Sequence, residues 1–162
     1  MYKNFNIIII ITTYLFITGC GFKPIYKIDT NKMDNGNYSI EIINDVSREV
    51  IDEVKNSIFT PDNASYTAYL TIGEDLTPLI INTNGTVAKY RIEVTIDFEL
   101  IENNTNEKKT SGKTRGFAQY DVGASEISNE DTRKSMLKTA TKNALQIMIS
   151  KIQSSTAKLN DN

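Results

Sequence analysis

The 162-residue chain has no histidine, no tryptophan and one cysteine. Without histidine there is no Ser-His-Asp or Cys-His arrangement for nucleophilic catalysis, and no histidine metal site. A single cysteine excludes an internal disulfide and any multi-thiolate metal centre. Positive charge is not in excess either. Eighteen basic residues against twenty acidic ones leave a net charge of −2, and residues 20–162 alone stand at −3, seventeen against twenty. A nucleic-acid partner needs a basic footprint that this balance does not supply. The chain lacks G-x-S-x-G, P-loop and G-x-G-x-x-G motifs. Its adjacent carboxylates, Asp52-Glu53, Glu74-Asp75 and Glu130-Asp131, diverge by about 100° on a helix and make poor acid/base pairs. No catalytic residue, metal ligand or cofactor site is expected, and an enzyme would need a pocket built from Asp, Glu, Lys or Ser alone.

What is present begins at the N-terminus. Residues 1–6 carry Lys3 and no acid, and residues 7–17, IIIIITTYLFI, are almost wholly apolar. As a helix this run spans about 16 Å, roughly half a bilayer core, so it is too short to cross and has the proportions of a signal-peptide h-region. Ile17, Thr18 and Gly19 precede Cys20. This resembles a bacterial lipobox, which implies that residues 1–19 are a signal peptide and that Cys20 is the lipid-attachment site. Three acyl chains, at about 0.8 kcal/mol per buried methylene, make a firm anchor. Gly21 stands where an inner-membrane retention signal would place Asp, which favours the outer membrane.

Residues 20–37 contain Pro24 and Gly36 and read as a lipidated tether; 38–154 read as a single domain and 155–162 as a frayed tail. YSIEII (38–43) is a short strand. Residues 44–59 shift to helical period through Val46, Val50, Val54 and Ile58, with Asp45 as N-cap and Pro61 as the stop. SYTAYLTIG (65–73) alternates. LTPLII (76–81), with Pro78, reads as an edge or irregular strand, and Asn84-Gly85 marks a turn. From Ala88 to Leu100, seven apolar residues recur at period two, predicting a long half-buried strand with one wet face. NNTNEK (103–108) reads as a hairpin loop. Residues 108–122 then make the returning strand, where Gly112 and Gly116 imply a bulge or the close approach of another backbone. A helix over 128–154 closes the chain, with Ser128 and Asp131 as a capping box and Leu137, Ala140, Ala144, Ile147, Met148 and Ile152 as its apolar stripe. The fold class is α+β: a mixed or antiparallel sheet of about four strands, two helices on one face, order β-α-β-β-(β)-α.

Basic residues offer the one binding pattern. Lys89 and Arg91 fall on the wet face of the long strand, and Lys113 and Arg115 fall on its neighbour if the two pair. That would lay a cationic strip fit for phosphates, unless cross-strand partners such as Glu93, Asp97 and Glu99 absorb it.

Three stretches carry a family resemblance: CGFKPIY at 20–26, TNGTVAKYRIEVTIDFELIE at 83–102, and RGFAQYDVGASEISNEDTRKSMLKTATKNALQIMISKI at 115–152. Their order and spacing resemble the LptE family of lipopolysaccharide-assembly lipoproteins, in its alphaproteobacterial branch. The family's Tyr-Asn is here Tyr120-Asp121. The resemblance implies two helices packed on one face of a mixed sheet. It also implies a non-enzymatic outer-membrane lipoprotein at the periplasmic face, seated as a plug in the LptD-type barrel and binding lipopolysaccharide during delivery to the outer leaflet. Lys89, Arg91, Lys113 and Arg115 are candidate lipopolysaccharide contacts from charge placement. The alternative is a periplasmic binding or scaffold lipoprotein that uses the exposed sheet face for a protein partner.

Overall fold

The period-two pattern of residues 88–100 sets the architecture, because one strand with one greasy face needs cover on that face alone. The computed structural model describes residues 38–160 apart from 59 and 62. The expected signal peptide, tether and Cys20 lie outside the described residues. Strands β1 (Tyr38–Ile42), β2 (Tyr66–Ile81), β3 (Val87–Glu102) and β4 (Lys108–Asp121) join helices α1 (Arg48–Ser57) and α2 (Glu126–Asn160) in the order β-α-β-β-β-α. This is the expected α+β fold. The sheet runs β1-β2-β3-β4. β1 lies parallel to β2, and the other two pairings are antiparallel.

Register explains the core. On β3, Ile92, Val94, Ile96, Phe98 and Leu100 share the covered face and are all buried. Opposite them on β4 stand Ala118, Gly116, Thr114, Gly112 and Thr110. This row of small residues lets α2 lie close. A Cβ added at Gly116 would collide with the Ala140 carbonyl oxygen and come 2.5 Å from the Ala144 amide nitrogen. At Gly112 the ring of Phe98 fills the space, 3.0 Å from where a Cβ would stand. Both glycines thus mark close approach, and neither sits at a bulge. α2 also tends the edge strand β4: Lys151 Nζ donates to the Lys113 carbonyl at 2.8 Å, and Asn143 Nδ2 to the Phe117 carbonyl at 3.2 Å. α1 buries Val50 and Val54 and packs against α2.

Four local expectations need correction. The stretches at 65–73 and 76–81 form one continuous strand, β2. β1 stops at Ile42, opposite Leu70, so near Pro78 the strand has one neighbour only. The missing N–H can fall on the vacant edge, and a register shift after Pro78 absorbs the remaining misfit. α1 starts at Arg48 behind Ser47, and Asp45 is not its cap. Residues 44–47 form a connection tied to β2 instead. Asn44 gives its Nδ2 to the Ile72 carbonyl at 2.8 Å and accepts the Ile72 N–H at 2.9 Å, while the Ser47 N–H donates to Glu74 Oε1 at 2.8 Å.

α2 begins at Glu126 with Ser125 before it, and the Ser125 hydroxyl accepts the Ser128 N–H at 3.4 Å, where Ser128 had been expected to cap. The helix continues past Ser154 to Asn160 because residues 126–160 contain neither glycine nor proline to stop it. Its buried stripe is Leu137, Ala140, Thr141, Ala144, Leu145, Met148, Ile149 and Ile152. Ile147 is not part of it and is 45% exposed, since it sits about 100° around the helix from Met148.

Candidate functional site on the open face of the sheet

Both helices cover one face, so the other is left to the alternate residues of every strand. Along β3 these are Lys89, Arg91, Glu93, Thr95, Asp97 and Glu99. Their β4 partners are Asp121, Gln119, Phe117, Arg115, Lys113 and Ser111. On the β2 side, Thr77, Asp75, Gly73, Thr71 and Tyr69 stand beside Arg91 to Glu99. All four candidate cations, Lys89, Arg91, Lys113 and Arg115, therefore share one face, as their alternation requires.

The field they create is a checkerboard. Lys89 Nζ lies 3.2 Å from Asp121 Oδ1, and Lys113 Nζ lies 3.0 Å from Asp97 Oδ2. Lys108 Nζ adds a contact of 2.6 Å to Glu99. The two arginines are bound more loosely. Glu93 sits between them, 3.8 Å from Arg91 Nη2 and 3.5 Å from Arg115 Nε. Neither guanidinium makes a protein hydrogen bond among the described residues, so their N–H donors remain available. Arg91 stacks on Phe117, 4.0 Å above the ring centroid, which fixes the guanidinium and leaves its rim free. Exposed ion pairs of this kind contribute about 0–1 kcal/mol each. An incoming phosphate can take the place of such a carboxylate at small cost.

A shallow groove on the same face is bounded by Ile43, Tyr69, Thr71, Asp97 and Lys113. At the β3–β4 loop, the Thr105 hydroxyl and then the Lys109 ammonium hold the Glu102 carboxyl below the usual carboxylate range. Glu107, followed by Glu102, raises Lys109. On the covered face, Tyr90 and Tyr120 stack with centroids 5.6 Å apart, and burial, then Tyr90, pushes the Tyr120 phenol up. Sequence reading placed the four cations and their partners Glu93, Asp97 and Glu99, but missed Phe117 and that Glu93 serves both arginines. Both depend on the β3–β4 register, which fixes who stands opposite whom.

Among the described residues, no group of three or more Asp, Glu, His or Cys is placed to hold a metal, and no helix is long and apolar enough to cross a membrane. The surface offers polar and ionic contact along the open strand face.

Residues 27–152 match the family model LptE, described as lipopolysaccharide-assembly. No curated protein matches the chain. Solved structures share the fold at low identity. A candidate lipoprotein from Caulobacter crescentus CB15 superposes with a TM-score of 0.59 at 11% identity, covering 78% of this chain and 93% of that one. Rare lipoprotein B from Shewanella oneidensis gives 0.55 at 15%, covering 76% and 98%. A minor lipoprotein from Acinetobacter baumannii gives 0.52 at 14%, covering 75% and 91%. The family match spans most of the domain built above, strand by strand and through α2. The chain belongs to the LptE family, and its role is in lipopolysaccharide assembly.

Proposed function

We propose that the protein is anchored to the outer membrane by acylated Cys20 and fills the lumen of an LptD-type barrel, where it assists delivery of lipopolysaccharide to the outer leaflet. The observation that carries this reading is the one-sided fold: two helices back the sheet, and its other face is open and mostly polar. Such a body can act through shape and surface contact, with no bond-making residue required. A barrel interior is polar, and a plug must meet it with groups that hydrogen-bond. The exposed Lys, Ser, Thr, Asn and Gln side chains of α2 are of that kind, and the rows of Thr, Glu, Asp, Lys and Arg on the open face are left for the lipid.

Lys89, Arg91, Lys113 and Arg115 are the proposed lipopolysaccharide contacts. Arg91 and Arg115 are the principal pair, since both keep free donors around one shared carboxylate. A doubly charged phosphate between two guanidiniums gains charge-assisted hydrogen bonds that Glu93, at 3.5 and 3.8 Å, does not make. The Arg91→Gln and Arg115→Gln double variant should bind lipopolysaccharide about tenfold more weakly or worse, because each lost bond to a charged group is worth about 1.5–3 kcal/mol. Equal binding would remove these residues from the site.

Depleting the protein should lower surface lipopolysaccharide and barrel abundance together, and normal levels of both would defeat the assembly role in this cell. Replacing Cys20 by Ala should leave the chain uncut or soluble; unchanged membrane anchoring would defeat the lipid-anchor reading.

A further inference from the structure

Charge along the chain is segregated in a way the open face does not use. Residues 132–160 hold six basic residues and no acidic one, while the rest of the chain holds twelve basic against twenty acidic. The segment is the body of α2. The acids of that helix, Glu126, Glu130 and Asp131, are confined to its start. Lys134, Lys138 and Lys142 recur at four-residue steps and so follow one another along one side of the helix. Lys134 has a single carboxylate neighbour, Glu130, at 3.8 Å, and Glu130 is already engaged by Arg133 through two hydrogen bonds of 2.8 Å. No carboxylate lies within ion-pair distance of Lys138 or Lys142 among the described residues, although α1, with its Glu49, Asp52 and Glu53, packs on the same helix.

The surface between Lys134 and Gln146 is polar, the exposed apolar side chains of α2, Ile127 and Ile147, lying before and after it. Ser135, Thr139, Asn143 and Gln146 are exposed beside Lys138 and Lys142, and no large apolar side chain is exposed between Lys134 and Gln146. A face that inserts into lipid carries apolar residues among its cations, and this one does not. A rigid face of about two turns with uncompensated ammonium groups and neutral hydrogen-bonding groups suits a fixed acidic protein wall.

We infer that the Lys134–Lys138–Lys142 side of α2 docks against a carboxylate-rich stretch of the barrel's inner wall and sets which way the plug faces. This rests on the plug reading above and adds to it the contact surface and the charge of the partner. With α2 against the wall, the open sheet face and its arginines turn to the lumen, where a lipid in transit would meet them.

The test uses the full-length tagged protein coexpressed with the LptD-type barrel, and the readout is barrel recovered per tagged chain. Reversing charge with Lys134→Glu, Lys138→Glu and Lys142→Glu should cut recovery about tenfold, as expected when like charges are set against each other in an interface. The triple Lys→Arg variant should recover the barrel as the wild type does. Thermal unfolding of the isolated variants checks that all remain folded, and a Lys→Gln triple, which adds no repulsion along the helix, should lie between wild type and reversal. Wild-type and reversed chains recovering the barrel equally would overturn the docking surface while leaving the plug reading intact. A wild type that recovers no barrel would overturn both. If the reversed chain keeps the barrel but loses cosedimentation with phosphatidylglycerol vesicles, a lipid surface is the occupant and the proposal falls.

Discussion

Strand β2 contains two halves that meet different fates. Ala68, Leu70 and Ile72 point to the covered face and are 0%, 0% and 3% exposed. Leu76 continues the same parity, stands opposite the buried Ile92, and is 47% exposed. Residue type does not distinguish Leu76 from Leu70, although Glu74 stands at the same parity before it. What differs is the neighbourhood. The first half has β1 along its edge and belongs to the core that the helices close, while the second is paired on one side to β3 alone. Period two therefore assigns a side chain to a face, and only the layer above that face decides whether the side chain leaves water.

The two halves should respond to change in proportion. Leu70→Ala should be the most damaging substitution, costing about 2–5 kcal/mol in urea unfolding, because it empties a fully closed site. Gly116→Ala comes next, at about 1–3 kcal/mol, since the new methyl drives against the Ala140 carbonyl and α2 has to lift. Asn44→Ala, at the junction of the halves, strips both backbone groups of Ile72 of their partner and should cost about 1–3 kcal/mol. Amide exchange at Ile72 should rise with it.

Glu102, opposite Tyr66 at the covered end, gives a smaller and pH-dependent effect. Its carboxyl titrates below the usual range when folded. Its stabilising contribution is therefore present above the unfolded value, about 4.3, and disappears as pH falls through the folded one. The melting difference between wild type and Glu102→Gln should be measurable at neutral pH and vanish in acid. Leu76→Ala should be the mildest of all, within about 0.5 kcal/mol. A loss at Leu76 comparable to that at Leu70 would mean that the outer half is packed as tightly as the inner one.

The same contrast marks where sequence was informative. The faces of β3, the turn at Asn84-Gly85, the loop before Lys108 and the one-sided helices all follow from periodicity and turn chemistry, which act within a few residues. Gly85 takes a φ of 85° where the expected turn lies. Misreadings arose where a distant partner decides. Residues 65–73 and 76–81 looked like two stretches because only the long pairing with β3 carries β2 through Glu74 and Asp75, whereas Pro78 was rightly read at an edge, beyond the end of β1. Asp45 looked like a cap because nothing local shows Asn44 bound to Ile72, twenty-eight residues away. Ile147 looked like core because β4 selects which side of α2 it receives. At the candidate site, the shared face of the four cations was legible, whereas the bridging Glu93 and the Phe117 beneath Arg91 were not, since each requires the register of two strands.

Asn44 has a consequence that reaches past its own two hydrogen bonds. By standing in for the next residue of β1 it closes the ladder at Ile72; from Gly73 onward β2 has β3 as its one neighbour, and past Lys89, where β4 ends its pairing, β2 and β3 run on alone as a two-stranded arm. Nothing in the interior leans on the far end of that arm. Two residues added to or removed from each of its strands near the turn would keep every inward residue inward. The reach of this protein is thus adjustable without rebuilding the body that holds it, and relatives could fit vessels of different depth by changing arm length alone.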